Sequence, residues 1–545
     1  MAPPLLFAWG ATALVALVTF VIYYYASAMA ASPKPEGDPD ALAKGLPTTF
    51  VEPAPYIKAL SDALPGTVIL PKDVAEFSSF IRIWFAAQNR DIIPAAVFRP
   101  RSVRDLSITI KHISKEHAVR ASLPATGNGL FAIRAGGANP ATGISGVKDG
   151  IVIDLALINT IEPSEDGTSV RVGGGAYWRD VYKTLDKRNL GVVGGRASPV
   201  GVGGSTLQGG MSYFSPQHGF ICSNVISYQV VLADGSIVTA SASENRDLWL
   251  SLKGGGNNFG VVVEFELRCF PIPDKIWAAN FISPGFLSTR TITAFHEHAA
   301  QASSPTGFDE KASVPILSFS YLPDVGATAH FCHIAYTEPT PDGKWPEYWR
   351  KSPLHSLWRF QNKSKNAPVH EVVMDLGVLS RKEERNVFGT TTVKNDLETL
   401  MMVRQIWREA HSSVKHVKGT MFIYIMQPIY PQWANKGTPN VLGLEGLDET
   451  LVVVSFAVNW PNPKDDDAIT GAVRRCFERI EEYAASKGTA HPYRFSNYSS
   501  EWQKPLQGCG AENMRLMQNV SERYDPKGLF QTGCLGGFKL DKREK

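Results

Sequence analysis

The sequence predicts an α+β protein of more than one domain, and three features carry that expectation. Four glycine clusters sit among short apolar strands and amphipathic helices before residue 272. Beyond it, long alternating apolar runs take over, and a stretch free of charge lies near the start of the chain. At 545 residues the chain exceeds one ordinary core, since domains average roughly 100–200 residues. With 44% hydrophobic and 20% charged residues it has the balance of a globular protein rather than a disordered or fibrous one. The 55 basic and 52 acidic side chains nearly cancel, and no basic run is interleaved with aromatics. That excludes nucleic acid as the expected partner and points to small-molecule chemistry.

No charged side chain occurs from Pro3 to Ala31, a length beyond the ~20 apolar residues that cross a bilayer. Tyr23, Tyr24 and Tyr25 stand where an interfacial aromatic belt would lie. Residues 1–31 are therefore expected to form an N-terminal hydrophobic helix, either a membrane anchor or a signal segment cleaved near Ala28 or Ala30. Both alternatives send the folded body into the secretory pathway, anchored or released. The Pro-, Gly- and acid-rich segment Pro33 to Pro55 reads as a linker, within an extension covering 32–89.

The stretch from Ser102 carries Asp105 three places on, with Val103, Leu106, Ile110 and Ile113 at helical spacing, so a capped helix is expected there. Residues 150–158, 169–176 and 225–242 read as strands, the last folded into a hairpin at Asp234-Gly235, with a helix over 177–189. After residue 272, the runs 314–322, 330–336, 420–426 and 451–460 alternate as strands of an antiparallel sheet, flanked by helices near 382–412 and 466–486. His330 and His333 are three apart on one of these strands, so they face opposite sides and make no metal pair. The six cysteines are far apart and form no C-x-x-C, so no metal site is expected and disulfides are permitted without being indicated. Sequons at Asn362, Asn497 and Asn519 are no more than chance supplies.

The clusters 134–143, 171–178, 194–210 and 253–260 concentrate residues without a Cβ. Such density lets backbone N–H groups converge on an anion, and a diphosphate fits that chemistry. None of the clusters gives G-x-G-x-x-G opening a helix after a strand, and Walker A is absent too.

The wording and order of these clusters resemble a known family. "PAAVFRPRSVRDL", "IRAGG", "GIVIDLALIN", "VGGGAYWRDVY", "SPVGVGGSTLQGG", "LADGSIVTAS", "LKGGGNNFGVVVEFEL" and the terminal "RYDPKGLFQ" are similar to the fungal branch of the berberine-bridge-enzyme-like, FAD-linked oxidases of the vanillyl-alcohol-oxidase superfamily. The resemblance implies a PCMH-type FAD-binding domain in two α+β lobes, 90–272 completed by a C-terminal strip 489–545. It also implies an inserted substrate domain, 273–488, on an antiparallel sheet flanked by helices. Flavin contacts would fall on Arg134, Gly136, Gly137, Ala138 and Asn139, on Ser198, Gly201, Gly203, Gly204, Ser205 and Gly210, on Val225, and on Asn513. Many relatives have a histidine at the place of Ala138, bonded to the flavin, and some a cysteine at that of Ala197. Alanine has no nucleophile, so FAD is expected to be noncovalent. Two further departures are Ser223 for a common Asp and Cys509 for a common Tyr.

Family members pass hydride to the flavin and use O₂ as acceptor, often with a Tyr or carboxylate taking a proton. Candidates for that role are Tyr424, Gln427, Tyr498 and Glu512. The expected function is oxidation of a small-molecule intermediate of fungal secondary metabolism. The alternative is a non-redox isomerase or cyclase with FAD as a structural cofactor and Glu512 as its acid. No G-x-S-x-G or H-E-x-x-H motif competes with either.

Overall fold

The computed structural model describes residues 52–121, 129–322, 326–377 and 384–540. Three sheets organise them. In the first, Ala96–Phe98 and Phe131–Arg134 flank Ile151–Asp154 in parallel, and Val68–Ile69 adds an antiparallel edge. The helix Val103–Arg120 closes one face with Leu106, Ile110 and Ile113. Its start is the capped one the sequence predicts: Ser102 Oγ accepts from Asp105 N at 3.1 Å. Asp105 in turn accepts, through Oδ2, from Arg101 N at 2.9 Å, one residue before the cap.

The expected strand 150–158 is shorter than its apolar run. After Asp154 the chain turns through a 3₁₀ segment, Leu155–Leu157. The glycine run 173–175 lies directly on that turn. A Cβ at Gly175 would sit 1.9 Å from Leu155 O, and one at Gly173 2.4 Å from Ile158 O. This glycine cluster is therefore a backbone-to-backbone packing device.

The second sheet has the order Ile161–Pro163, Ser169–Gly173, Val261–Pro271, Val225–Val231 and Ile237–Ser241, with Leu190–Val192 paired to the end of the long central strand. The hairpin turns at Asp234-Gly235 as expected; Asp234 Oδ1 accepts from Ser236 N, and Gly235 has φ +80°.

The third sheet has eight strands, all antiparallel, in the order Gln361–Ala367, Ile276–Pro284, Ala327–Tyr336, Ile316–Leu322, Met421–Ile429, Leu451–Trp460, Arg385–Lys394 and Ala490–His491. Phe319, Tyr424 and Phe456 on one face share a core with Phe295, Trp407 and Phe477 of the helices Ser288–Ala302, Leu397–Ser413 and Asp466–Lys487. The helix expected from about residue 382 starts only at Leu397, where Asp396 caps it by accepting from Thr399 N at 2.8 Å. Arg385–Lys394 is instead a strand, fitting its β-branched Val387, Thr390, Thr391, Thr392 and Val393.

The C-terminal segment returns to the first sheet: Leu130 N donates to Gly533 O at 2.7 Å, and Phe131 bridges Cys534. All six cysteines are buried free thiols. No helix among the described residues is long and apolar enough to cross a membrane. The N-terminal hydrophobic segment expected over 1–31 lies outside the described residues.

Candidate cofactor and substrate site

Two glycine loops meet backbone to backbone. A Cβ on Gly136 would stand 2.7 Å from Gly201 Cα, and one on Gly201 2.8 Å from Gly136 Cα. Gly137, next in the loop, has φ +63°. Gly203 presses on Gly174 O, where a Cβ would come within 2.8 Å, whereas Gly204 faces open space with nothing within 4 Å. The loops and the first turn of the helix Val202–Leu207 enclose a cavity lined by Gly136, Gly137, Ala138, Asn139, Gly203 and Gly204, among others. At Gly203 and Gly204 only backbone can line it, and first-turn N–H groups have no intrahelical acceptor.

Asn139 sharpens the character of this cavity. Its Oδ1 accepts from Ala141 N at 2.9 Å, but its Nδ2 is buried without a partner among the described residues. A buried unmatched donor costs about 1–3 kcal/mol, so the site suits a ligand rich in acceptor oxygens. Ser205 is committed internally: its Oγ donates to Gly201 O at 2.7 Å and accepts from Trp178 Nε1 at 2.8 Å.

A second cavity adjoins the first. Ala138, Val200, Ser205, Phe388, Asn497 and Tyr498 line both, so Ala138 stands at the junction. The second cavity is mainly apolar, with Met211, Phe331, Phe388, Ile423 and Ile425 on its wall, and Ala197 faces it too. Ser318, Ser320, Asn386, Ser455 and Asn459 add neutral polar groups. Asn497 ties the junction together, with Nδ2 donating to Ser205 O at 3.0 Å and Oδ1 accepting from Gly210 N at 3.2 Å. Tyr498 stands edge-on to Phe388 and Phe495, with centroids 5.9 and 4.9 Å away.

Arg196 also lines the second cavity and is more than nine-tenths buried. Its Nη2 donates to Gln427 Oε1, while its Nη1 has no partner among the described residues. Among the described lining residues of both cavities, Arg196 and Tyr498 are the only ionisable side chains.

Of the expected flavin contacts, Gly136, Gly137, Ala138, Asn139, Gly201, Gly203, Gly204 and Ser205 come together in the first cavity, and Gly210 lines the second. Four others do not line either. Arg134 lies beneath its loop, paired with Asp154 Oδ1 at 2.8 Å and packed on Phe80 and Trp84. Ser198 donates from its N to Val373 O, and Val225 is buried with its O accepting from Trp249 Nε1. Asn513 Nδ2 donates to Cys509 O at 3.0 Å, inside its own helix start.

The catalytic candidates separate in the same way. Tyr498 reaches the junction. Tyr424 does not: it packs against Phe319 on the helix-covered face, its hydroxyl buried without a partner and its pKa pushed well above the usual phenol value by burial. Gln427 shares the parity of the cavity-lining Ile423 and Ile425 but is spent on Arg196. Glu512 is exposed in the first turn of the helix Ala511–Tyr524, outside both cavities. His330 and His333 do face opposite sides, one bonded to Ser288 and Thr291, the other to Tyr213 and Asn280.

Sequence reasoning missed Asn497 and Arg196. Asn497 adjoins Tyr498, yet reads first as a sequon; Arg196 lies inside a glycine cluster, where its charge was the available signal.

Residues 94–241 match the family model for an FAD binding domain. The FAD-dependent monooxygenase tpcD of Cochliobolus heterostrophus is 31% identical over 86% of this chain and 89% of its own length. The bifunctional solanapyrone synthase of Alternaria solani is 30% identical over 87% of this chain and 86% of its own. Among solved structures, BBE-like #28 from Arabidopsis thaliana has a TM-score of 0.69 at 16% identity, covering 89% of this chain and all of that one. Its likeness speaks to the fold.

Proposed function

The chain belongs to the berberine-bridge-enzyme-like FAD-linked oxidoreductases, and we propose that it oxidises a largely apolar intermediate of fungal secondary metabolism with noncovalently held FAD. The observation that carries this reading is the meeting of a glycine-lined cavity and an apolar one at Ala138. The backbone of Gly203 and Gly204 and the free Nδ2 of Asn139 would hold the acceptor-rich cofactor in the first. Bound FAD supplies a hydride acceptor that O₂ reoxidises with release of H₂O₂. Tyr498, at the junction and only partly buried, takes the substrate's proton on its phenol oxygen as its own proton passes to solvent, and the apolar wall of the second cavity excludes water from the reacting carbon. The names of the fungal relatives, monooxygenases and a synthase, support secondary metabolism as the setting. The non-redox alternative has lost its acid, since Glu512 is exposed and away from both cavities.

The domain assignment that accompanies this reading is a cofactor domain of 90–272 and 489–545 around a substrate domain of 273–488. Residues 1–31 direct the chain to a membrane or into the secretory pathway. Expression without them should give a soluble body that keeps FAD; a body that loses FAD on this truncation contradicts the assignment.

The test of function is anaerobic mixing of the yellow protein with candidate alcohols, amines and activated C–H compounds. Turnover must bleach the flavin band, and air must restore it with H₂O₂. A product of unchanged mass, formed without bleaching, overturns the reading.

A further inference from the structure

Among the described residues, the second cavity is lined by one cation and no anion. Arg196 is more than nine-tenths buried, and no carboxylate lines the cavity among the described residues. A guanidinium withdrawn from water is strongly unfavourable unless its donors are matched. Here the match is incomplete: Nη2 donates to the neutral Oε1 of Gln427, and Nη1 has no partner among the described residues. Gln427 is itself fully buried, and its Nε2 is also without a partner. The rest of the wall, from Ile316 and Phe331 to Ile423 and Ile425, offers no charge to balance it.

Resting on the oxidoreductase reading above, we infer that the substrate is an apolar molecule bearing a delocalised oxyanion, a carboxylate or the enolate of a 1,3-dicarbonyl. An oxygen of that group accepts from Nη1 of Arg196. Arg196 thereby selects acidic over neutral substrates and fixes one end of the molecule, and Gln427 positions Arg196 by accepting from its other nitrogen. The hydrocarbon body then lies along Ile423, Ile425 and Phe388 toward the junction at Ala138 and Tyr498.

The test is calorimetric titration of the flavin-loaded protein with two pairs of probes: 2-naphthoate against 2-naphthamide, and the enolate of benzoylacetone, at a pH above the pKa of its enol, against 4-phenyl-2-butanone. The oxyanion should bind roughly 10- to 100-fold tighter than its neutral partner in at least one pair, the worth of a hydrogen bond to a charged group. The pair that shows the difference identifies the kind of acid. Arg196→Met should abolish the preference and Arg196→Lys keep part of it. Gln427→Glu, which gives the guanidinium an internal anion without changing size, should abolish it as well and serves if Arg196→Met does not fold. Equal binding within both pairs by the wild-type protein overturns the inference, as does a preference unchanged in Arg196→Met or, if that variant does not fold, in Gln427→Glu. A flavin band shifted by the Arg196 variants with the preference intact also overturns it, because Arg196 would then serve the cofactor. Absence of a flavin band from the wild-type protein instead defeats the oxidoreductase reading, while the probe preference still reports on Arg196.

Discussion

Asn497 and Ser205, 292 residues apart in sequence, are joined by a hydrogen bond of 3.0 Å from Nδ2 to the Ser205 carbonyl. The same amide accepts from Gly210 N, so one side chain fastens the segment 205–210 at two points. Replacing Asn497 by Ala removes both bonds beside Ser205, which lines both cavities. We expect FAD affinity to fall about 10-fold or more, at ~1 kcal/mol per neutral bond. Flavin fluorescence on serial dilution measures it, and an unchanged dissociation constant contradicts the role.

Ala138 carries no nucleophile at the junction of the cavities. Acid precipitation should therefore leave all flavin in the supernatant, and a yellow pellet would count against noncovalent binding. Ala138→His restores the residue relatives use at this place, and flavin retained in the pellet of that variant would confirm that position 138 faces the ring.

The two tyrosines should respond in opposite ways. Tyr498→Phe, at the junction, is expected to lower turnover by roughly 10²–10⁴-fold. Tyr424→Phe should leave turnover within a factor of two to three, since its hydroxyl bonds to nothing and its ring faces Phe319. Tyr424→Ala should instead cost stability, by about 3–5 kcal/mol as for other buried aromatics, read from the denaturant midpoint. A large loss of turnover in Tyr424→Phe with FAD bound would reverse the two roles.

Lys253 gives a pH dependence. Burial lowers its pKa to about 7, with Cys222 opposing the shift more weakly. Its ammonium rests on the Trp249 ring, 3.5 Å from the centroid, and donates to Thr438 Oγ1. Between about pH 7 and the ordinary lysine value of 10.5 the unfolded chain binds the extra proton, so stability rises with pH there, by at most ~1.4 kcal/mol per unit. Below about pH 7 both states hold the proton and this contribution is flat. Lys253→Met should remove the difference between denaturation midpoints at pH 7 and pH 9. An equal slope in wild type and variant would show that other groups cause it.

Local order and chemical limits are legible in the residues alone. Alternation of period two placed Ile316–Leu322, Met421–Ile429 and Leu451–Trp460 in strands, and Ser102 marked where its helix begins. The absence of a nucleophile at 138 is a fact of residue identity, independent of any fold. Parity even forbids Tyr424 and Gln427 from sharing a face of one regular strand. Which parity faces the cavity was not legible, because both sides of that strand are apolar: Phe422, Tyr424 and Met426 against Ile423 and Ile425. Long-range packing settles it: helices cover the first set, and the second is left lining the apolar cavity. It also sorted the glycines, since Gly175 and Gly204 look alike in sequence but one abuts a carbonyl and the other opens on empty space. In the same way Asp154 claimed Arg134, and Asn497 came to Ser205 from the far end of the chain. Residue type sets what a side chain can do, whereas its partners are set by long-range contacts that local periodicity does not encode.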